Sequence, residues 1–146
     1  MLRLDLHGVR VGIVCEDDQL LEEYRRDFAY FASSSENKPD IRLEVRIAPP
    51  APAPIRTTLT WRSARIWDSG GSRRVDYEGR ASLEYDFARE EVLLRGEDRD
   101  LLHELGYLAV LSRAGERLDL RGLHRVHALG FTYHGRGGLL VLPING

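Results

Sequence analysis

One segment of the chain alternates apolar and charged side chains without a break. Its apolar members are Ile41, Leu43, Val45 and Ile47, and its charged members are Arg42, Glu44 and Arg46. Successive side chains of a β-strand point to opposite faces of a sheet, so this pattern predicts a strand with one buried face. A chain that contains such a strand must build a sheet around it and cover the apolar face with other elements.

The N-terminal segment predicts a β-hairpin followed by a helix. Leucines alternate with polar residues before His7-Gly8, and apolar residues alternate again after it, so this dipeptide is placed as a two-residue turn. Asp17 or Asp18 can cap a helix over residues 18–32. One stripe of that helix is apolar and consists of Leu20, Leu21, Tyr24, Phe28 and Phe31.

A proline-rich stretch interrupts the strand patterns at residues 48–54. Proline has no N–H group and a fixed φ, so this stretch cannot lie inside a sheet. We interpret it as an extended surface linker, with an SH3-type peptide ligand as the alternative.

Residues 55–95 repeat short strand patterns separated by turns. One turn lies at residues 68–71, DSGG, and another at residues 88–91. Asp98 can cap a second helix with a wide apolar face, and we expect this helix to end near Gly115 because glycine favours helix C-termini. The fold class is therefore predicted as α+β, with antiparallel β-hairpins in a meander and two main helices.

Composition and charge exclude several classes of function. The 21 basic and 23 acidic side chains are interspersed and leave a formal charge of -2, so we expect no nucleic-acid or anionic-lipid partner. Cys15 is the only cysteine, which excludes an internal disulfide and cysteine-based metal sites. The N-terminus lacks the apolar core of a signal peptide, and no apolar run reaches the length of a membrane span. These features predict a cytoplasmic protein.

Individual residues indicate no catalytic constellation of their own. No serine lies in a Gly-x-Ser-x-Gly elbow, so a hydrolase triad has no nucleophile. Cys15 precedes three acidic residues, which disfavour a thiolate, and we expect it in a partly buried core position. His124, His127 and His134 are spaced three and seven residues apart, which matches no tight zinc-binding pattern.

The C-terminal segment carries the strongest functional signal. A strand pattern runs from Val126 through Tyr133, turns at residues 134–137, and continues as an apolar run at residues 139–142. Four consecutive apolar residues are typical of a strand that is covered on both faces. Such a strand commonly leads through a glycine-rich loop into a phosphate-binding helix, and no residue follows Gly146 to build either. We therefore expect an α+β domain at residues 1–122, with its linker near 48–54, and an incomplete P-loop core at 123–146.

Residues 123–128, LHRVHA, and residues 135–143, GRGGLLVLP, resemble the approach to the phosphate loop in proteins related to HPr kinase/phosphorylase. The resemblance implies a phosphotransferase in which backbone N–H groups wrap the phosphates of ATP, a lysine reaches the β/γ oxygens and a hydroxyl holds Mg²⁺. It implies that His127 assists proton or phosphate handling. The resemblance implies that the first half of the loop is Pro143, Ile144, Asn145 and Gly146. Proline stands here where such loops commonly open with glycine. The lysine and the serine or threonine would follow Gly146.

The leading hypothesis is an N-terminal fragment of an HPr kinase-like phosphotransferase that is not catalytic by itself. By resemblance, the full-length parent uses ATP and Mg²⁺ to phosphorylate a protein or a small-molecule acceptor. The fragment would have a structural or substrate-recruiting role. An uncovered apolar strand also favours pairing between chains, so a homo-oligomer is a further expectation.

Two alternatives remain open. The tail can be an apolar strand that closes a small β domain, with Asn145-Gly146 as a turn and His127 bonded to a neighbouring backbone group. The whole chain can instead be a non-catalytic binding or assembly module that contacts a peptide or a partner protein through a sheet edge. A natural continuation with glycine, lysine and serine or threonine favours the kinase, and a stop codon favours the module.

Overall fold

An eight-stranded sheet with two helices packed against it forms most of the structure. The computed structural model describes residues 1–53, 56–124 and 128–141. The strands are β1 (Leu2–Leu6), β2 (Val9–Cys15), β3 (Ile41–Ile47), β4 (Leu59–Trp61), β5 (Ala64–Asp68), β6 (Ser72–Tyr77), β7 (Ala81–Asp86), β8 (Glu91–Gly96), β9 (Leu129–Tyr133) and β10 (Arg136–Leu140). The helices are α1 (Asp18–Asp27) and α2 (Arg99–Asp119), with a short 3-10 turn at Ala29–Phe31. These elements confirm the predicted α+β class.

The strand order in the large sheet is β1-β2-β3-β8-β7-β6-β5-β4, and β9 pairs with β10 in a separate hairpin. Strands that are close in sequence pair antiparallel, as the turn signals predict. The strand β3 differs, because it lies between β2 and β8 and is parallel to both. The helix α1 connects β2 to β3, as parallel neighbours require. Periodicity indicates which face a side chain takes and not which distant strand lies alongside, so the parallel centre was not predicted.

The apolar face of β3 lies in the middle of the core. Ile41, Leu43 and Val45 are each 1% exposed, and burial of each contributes about 1.5–3 kcal/mol relative to an exposed side chain. Helix α2 packs on β2, β3 and β8, while α1 packs on β2 and on α2. Ile47 is 43% exposed because it lies beyond the end of β2 and pairs with Gly96, which has no side chain to cover it.

The predicted first hairpin is confirmed at its turn. His7 and Gly8 have φ angles of 53° and 87°, the left-handed values that two-residue turns between strands require. The N–H group of Gly8 donates a 2.6 Å hydrogen bond to Oδ1 of Asp5. This bond holds β1 and β2 in the register that buries the leucines of β1.

The two helices end differently from the sequence prediction. The predicted helix over residues 18–32 is α-helical only to Asp27 and then tightens into the 3-10 turn. The expected end of the second helix at Gly115 was wrong, because Gly115 is buried inside α2. The terminating glycine is Gly122, whose φ is 77°. The Leu123 N–H donates to the Leu118 carbonyl at 3.0 Å, which is the long bond of a Schellman motif.

The proline-rich segment crosses the sheet face opposite the helices. Its N–H groups donate at two points, from Ala48 to the Gly96 carbonyl at 2.9 Å and from Ala51 to Oγ of Ser82 at 2.8 Å. Residues 48–53 form no strand, as predicted for a proline-rich stretch. Residue 54 lies outside the described part of the chain.

Close contact between the two helices depends on one glycine. The Tyr24 side chain of α1 is fully buried, and its hydroxyl donates a 2.6 Å hydrogen bond to the Leu102 carbonyl of α2. A Cβ atom at Gly106 would lie 2.0 Å from that hydroxyl oxygen, far inside van der Waals contact. Position 106 therefore has room for glycine alone while Tyr24 keeps this position.

Among the described residues, no helix is both long enough and apolar enough to cross a membrane.

We expect Gly106→Ala to destabilise the domain by about 1–3 kcal/mol, because the added methyl group pushes Tyr24 from its hydrogen bond. Urea unfolding followed by circular dichroism measures the change. Tyr24→Phe removes the oxygen that clashes, so the double variant should lose less stability than the sum of the two single changes. Ser112→Ala, on the exposed side of α2, is the control and should change stability by less than about 0.5 kcal/mol. Equal stability of Gly106→Ala and the unmodified chain would contradict the packing argument.

Candidate functional site

The residues of the predicted phosphate loop lie outside the described part of the chain. This applies to His127 and to Pro143, Ile144, Asn145 and Gly146. The structure describes the hairpin that leads to the loop, with β9 and β10 in antiparallel register. The predicted hairpin is therefore present over residues 129–140, with residues 136 and 137 in β10 rather than in the turn, and the roles of the five loop and histidine residues stay predictions.

The β9–β10 hairpin exposes its apolar side chains. Leu139, Leu140 and Val141 are 69%, 47% and 61% exposed. Phe131 packs across the pair on Gly138, where an added Cβ atom would lie 2.5 Å from the ring. The expected cover on both faces of the apolar run is not provided by the described residues.

Two helix N-termini lie at the carboxyl ends of the parallel strands β2 and β8. This is the place where open α/β sheets bind phosphate, because the first N–H groups of the helix have no partner there. In α1 the site is filled by Asp17, whose Oδ1 accepts from the Leu20 N–H at 2.8 Å and whose Oδ2 accepts from Arg99 at 2.5 Å.

The N-terminus of α2 is filled in the same way. Oδ1 of Asp98 accepts from the Leu101 N–H at 3.2 Å, and Oδ2 accepts from Arg80 at 2.6 Å. The backbone hydrogen bond and the arginine lower the pKa of each capping carboxyl, so both stay charged. A phosphate brought to either helix would have to displace a bound carboxylate.

The two capping segments also repeat in sequence. Residues 16–23 read EDDQLLEE and residues 97–104 read EDRDLLHE. Each follows the second strand of an antiparallel hairpin and opens a helix on the same face of the sheet. The short similarity was visible in the sequence, but the sequence analysis did not identify it as a repeat, because only the sheet order shows that two ββα units flank β3.

A groove of about 380 Å³ lies on the sheet face opposite the helices. The charged side chains that line it include Arg42, Glu44, Arg74, Glu84 and Glu91. Two of the arginines already have acidic neighbours, since Arg74 lies 3.4 Å from Glu84 and Arg42 lies 3.5 Å from Glu44. The groove is polar and of mixed charge, and of its hydroxyl groups that of Ser72 bonds to Ser69 and that of Tyr85 bonds to the Glu90 carboxylate.

A half-buried polar cluster joins the β7–β8 turn to α2. The carboxylate of Glu90 accepts a hydrogen bond from Arg117 at 2.5 Å and lies 3.7 Å from Arg113. The Tyr85 hydroxyl donates a hydrogen bond to the same carboxylate. Burial raises the pKa of Tyr85, so the hydroxyl remains a donor. These contacts attach the turn to the helix, although Nε of Arg113 is buried without a hydrogen-bond partner.

The remaining candidate residues are dispersed. The Cys15 side chain is half-buried, as expected, and burial raises the pKa of its thiol. His124 is exposed and lies 3.5 Å from Asp119, whereas His134 occupies the β9–β10 turn beside Tyr133. Within the described ranges, no three His, Cys, Asp or Glu side chains are placed to hold a metal ion.

Comparison with known proteins finds no match to this chain among family models, curated proteins or solved structures.

The free energy of unfolding of the domain should decrease as the pH falls, because the two capping carboxylates become protonated. Their folded pKa values lie below the ordinary 3.8, so their contribution is complete above that pH and is lost as the pH falls through the folded values. Asp17→Asn/Asp98→Asn keeps side chains that cap helices well but cannot titrate. We expect its unfolding midpoint, measured by urea titration from about pH 5 to about pH 2.5, to vary less with pH than that of the unmodified chain. Equal acid dependence of both proteins would contradict the assignment.

Proposed function

We propose that this chain is the N-terminal region of an HPr kinase-like, ATP-dependent phosphotransferase and that it is not catalytic by itself. The observation that carries the proposal is the resemblance of residues 123–128 and 135–143 to the approach to the family's phosphate loop. In the proposal, Pro143 to Gly146 form the first half of the loop, and His127 assists proton or phosphate handling.

The geometry of the hairpin supports this proposal. The strand β10 carries the apolar run toward the expected loop, and Leu139, Leu140 and Val141 are all exposed. A central strand of a kinase core would bury such side chains on both faces. Further elements that pack on the hairpin would supply the missing cover.

The filled helix N-termini support a non-catalytic role for the large sheet. Asp17 and Asp98 occupy the N–H groups of α1 and α2 that a nucleotide phosphate would otherwise use. The proposal therefore assigns ATP and Mg²⁺ to the loop that begins near Pro143. The described domain would position that core or recruit the acceptor, which is a protein or a small molecule, in the cytoplasm.

Isothermal titration calorimetry tests this assignment on two proteins. The first is the 146-residue chain, and the second is extended through the natural sequence that follows Gly146. We expect ATP with Mg²⁺ to bind the extended protein alone, because only a complete loop supplies the lysine and the hydroxyl.

Two controls make the calorimetry specific. In the extended protein, replacement of the loop lysine by alanine should abolish or strongly weaken ATP binding, while the unfolding of the described domain stays unchanged. His127→Gln should lower phosphoryl transfer more than it lowers ATP affinity. Absence of binding by both unmodified proteins would overturn the kinase assignment.

A further inference from the structure

The two edges of the large sheet differ in their protection. On the outer side of β1, Leu4 forms a bridge with Ala32, and the Ser33 N–H donates to the Arg3 carbonyl at 2.9 Å. The Arg3 guanidinium then donates to the Ser35 carbonyl at 2.9 Å. The segment after α1 therefore covers this edge, which is one way in which proteins prevent unwanted strand pairing.

The other edge of the sheet is β4. This strand lies last in the sheet order and pairs with β5 on one side, and no described strand pairs with its outer side. In an antiparallel pair, the polar backbone groups of alternate residues point away from the partner strand. Alternate residues of β4 thus present backbone donors and acceptors to an added strand.

The side chains around β4 are basic and apolar. Residues 56–67 contain Arg56, Arg62 and Arg65 and no acidic residue. All three arginines are exposed, and Arg65 lies 2.6 Å from Asp76. Leu59 is 56% exposed on the strand itself. The edge therefore combines open backbone groups, exposed positive charge and one uncovered leucine.

We propose that the β4 edge binds an extended acidic segment of a partner protein by strand addition. Backbone hydrogen bonds to β4 would supply affinity, and carboxylates near Arg56 and Arg62 would supply orientation and selectivity. An apolar side chain of the segment would cover Leu59. This interaction goes beyond the proposed phosphotransferase role and does not depend on it.

Charge favours this occupant over a second copy of the chain. Pairing of two β4 edges would bring Arg56 and Arg62 of one copy against those of the other, and like charges on adjacent strands are destabilising. The β9–β10 hairpin is no better match, since residues 128–141 contain Arg136 and no acidic residue. An acidic partner removes this repulsion.

The binding test uses a fluorescein-labelled peptide of alternating glutamate and valine, titrated with the 146-residue chain and followed by fluorescence polarisation. We expect binding that weakens as salt is added. We expect Arg56→Glu/Arg62→Asp to reduce affinity by about tenfold or more. Hydrogen exchange should show new protection at the backbone of residues 59–61 and none at β1.

Three controls separate strand addition from general charge attraction. Arg25→Glu/Arg26→Glu makes a similar charge change on the exposed side of α1 and should leave affinity within about twofold. A peptide with lysine in place of glutamate should not bind. Circular dichroism confirms that each variant is folded.

Several results would overturn the proposal. One is binding of the lysine peptide as tight as that of the glutamate peptide. Another is a loss of affinity in the Arg25/Arg26 variant as large as that in the Arg56/Arg62 variant. A third is hydrogen-exchange protection that appears away from β4. The absence of any acidic-peptide binding by the unmodified chain would overturn it as well, including the case in which the chain only self-associates in sedimentation.

Discussion

Burial of β3 between two parallel neighbours is the constraint on which the rest of the structure depends. Its apolar residues are almost completely removed from water by β2, β8 and the two helices. A parallel neighbour cannot be reached by a tight turn, so α1 must carry the chain back across the sheet face. The helices then need a close approach, which the pairing of Tyr24 with Gly106 provides.

The same arrangement decides the chemistry at the carboxyl ends of the parallel strands. Both helices begin there, and such a place commonly binds phosphate. Here, Asp17 and Asp98 satisfy the free N–H groups, and Arg99 and Arg80 compensate the carboxylates. Stability and ligand binding compete for the same donors, so the caps that strengthen this domain also make it a poor phosphate site. This competition favours a supporting role for the domain in the proposed phosphotransferase.

The surface contains two strands with different exposed chemistry. The β9–β10 hairpin exposes Leu139 and its neighbours, in the segment that we propose leads to a phosphate loop. The β4 edge exposes backbone groups beside arginines. An apolar surface gains most from permanent cover, whereas a charged edge is suited to reversible and salt-sensitive association. We therefore propose different partners for the two surfaces.

Local features of the fold were predictable from the sequence because they depend on neighbouring residues. The alternation from Ile41 to Ile47 matches β3, the His7-Gly8 turn matches the first hairpin, and Asp98 caps α2 as expected. The end of α2 was misplaced because Gly115 and Gly122 are equivalent as local signals. Gly115 is buried within α2, and burial of this kind cannot be read from the local sequence.

The candidate site was predictable only in part. The phosphate loop expected at residues 143–146 stays a prediction, and the sequence alone did not show that two helix N-termini were filled or that one sheet edge was covered. The sequence by itself determined the strands, turns and helix caps, since these follow from the period of the side chains and from backbone preferences. The tertiary structure decided the parallel centre, the glycine contact and the open β4 edge, because each depends on residues that are distant in sequence and meet only when the apolar faces are buried together.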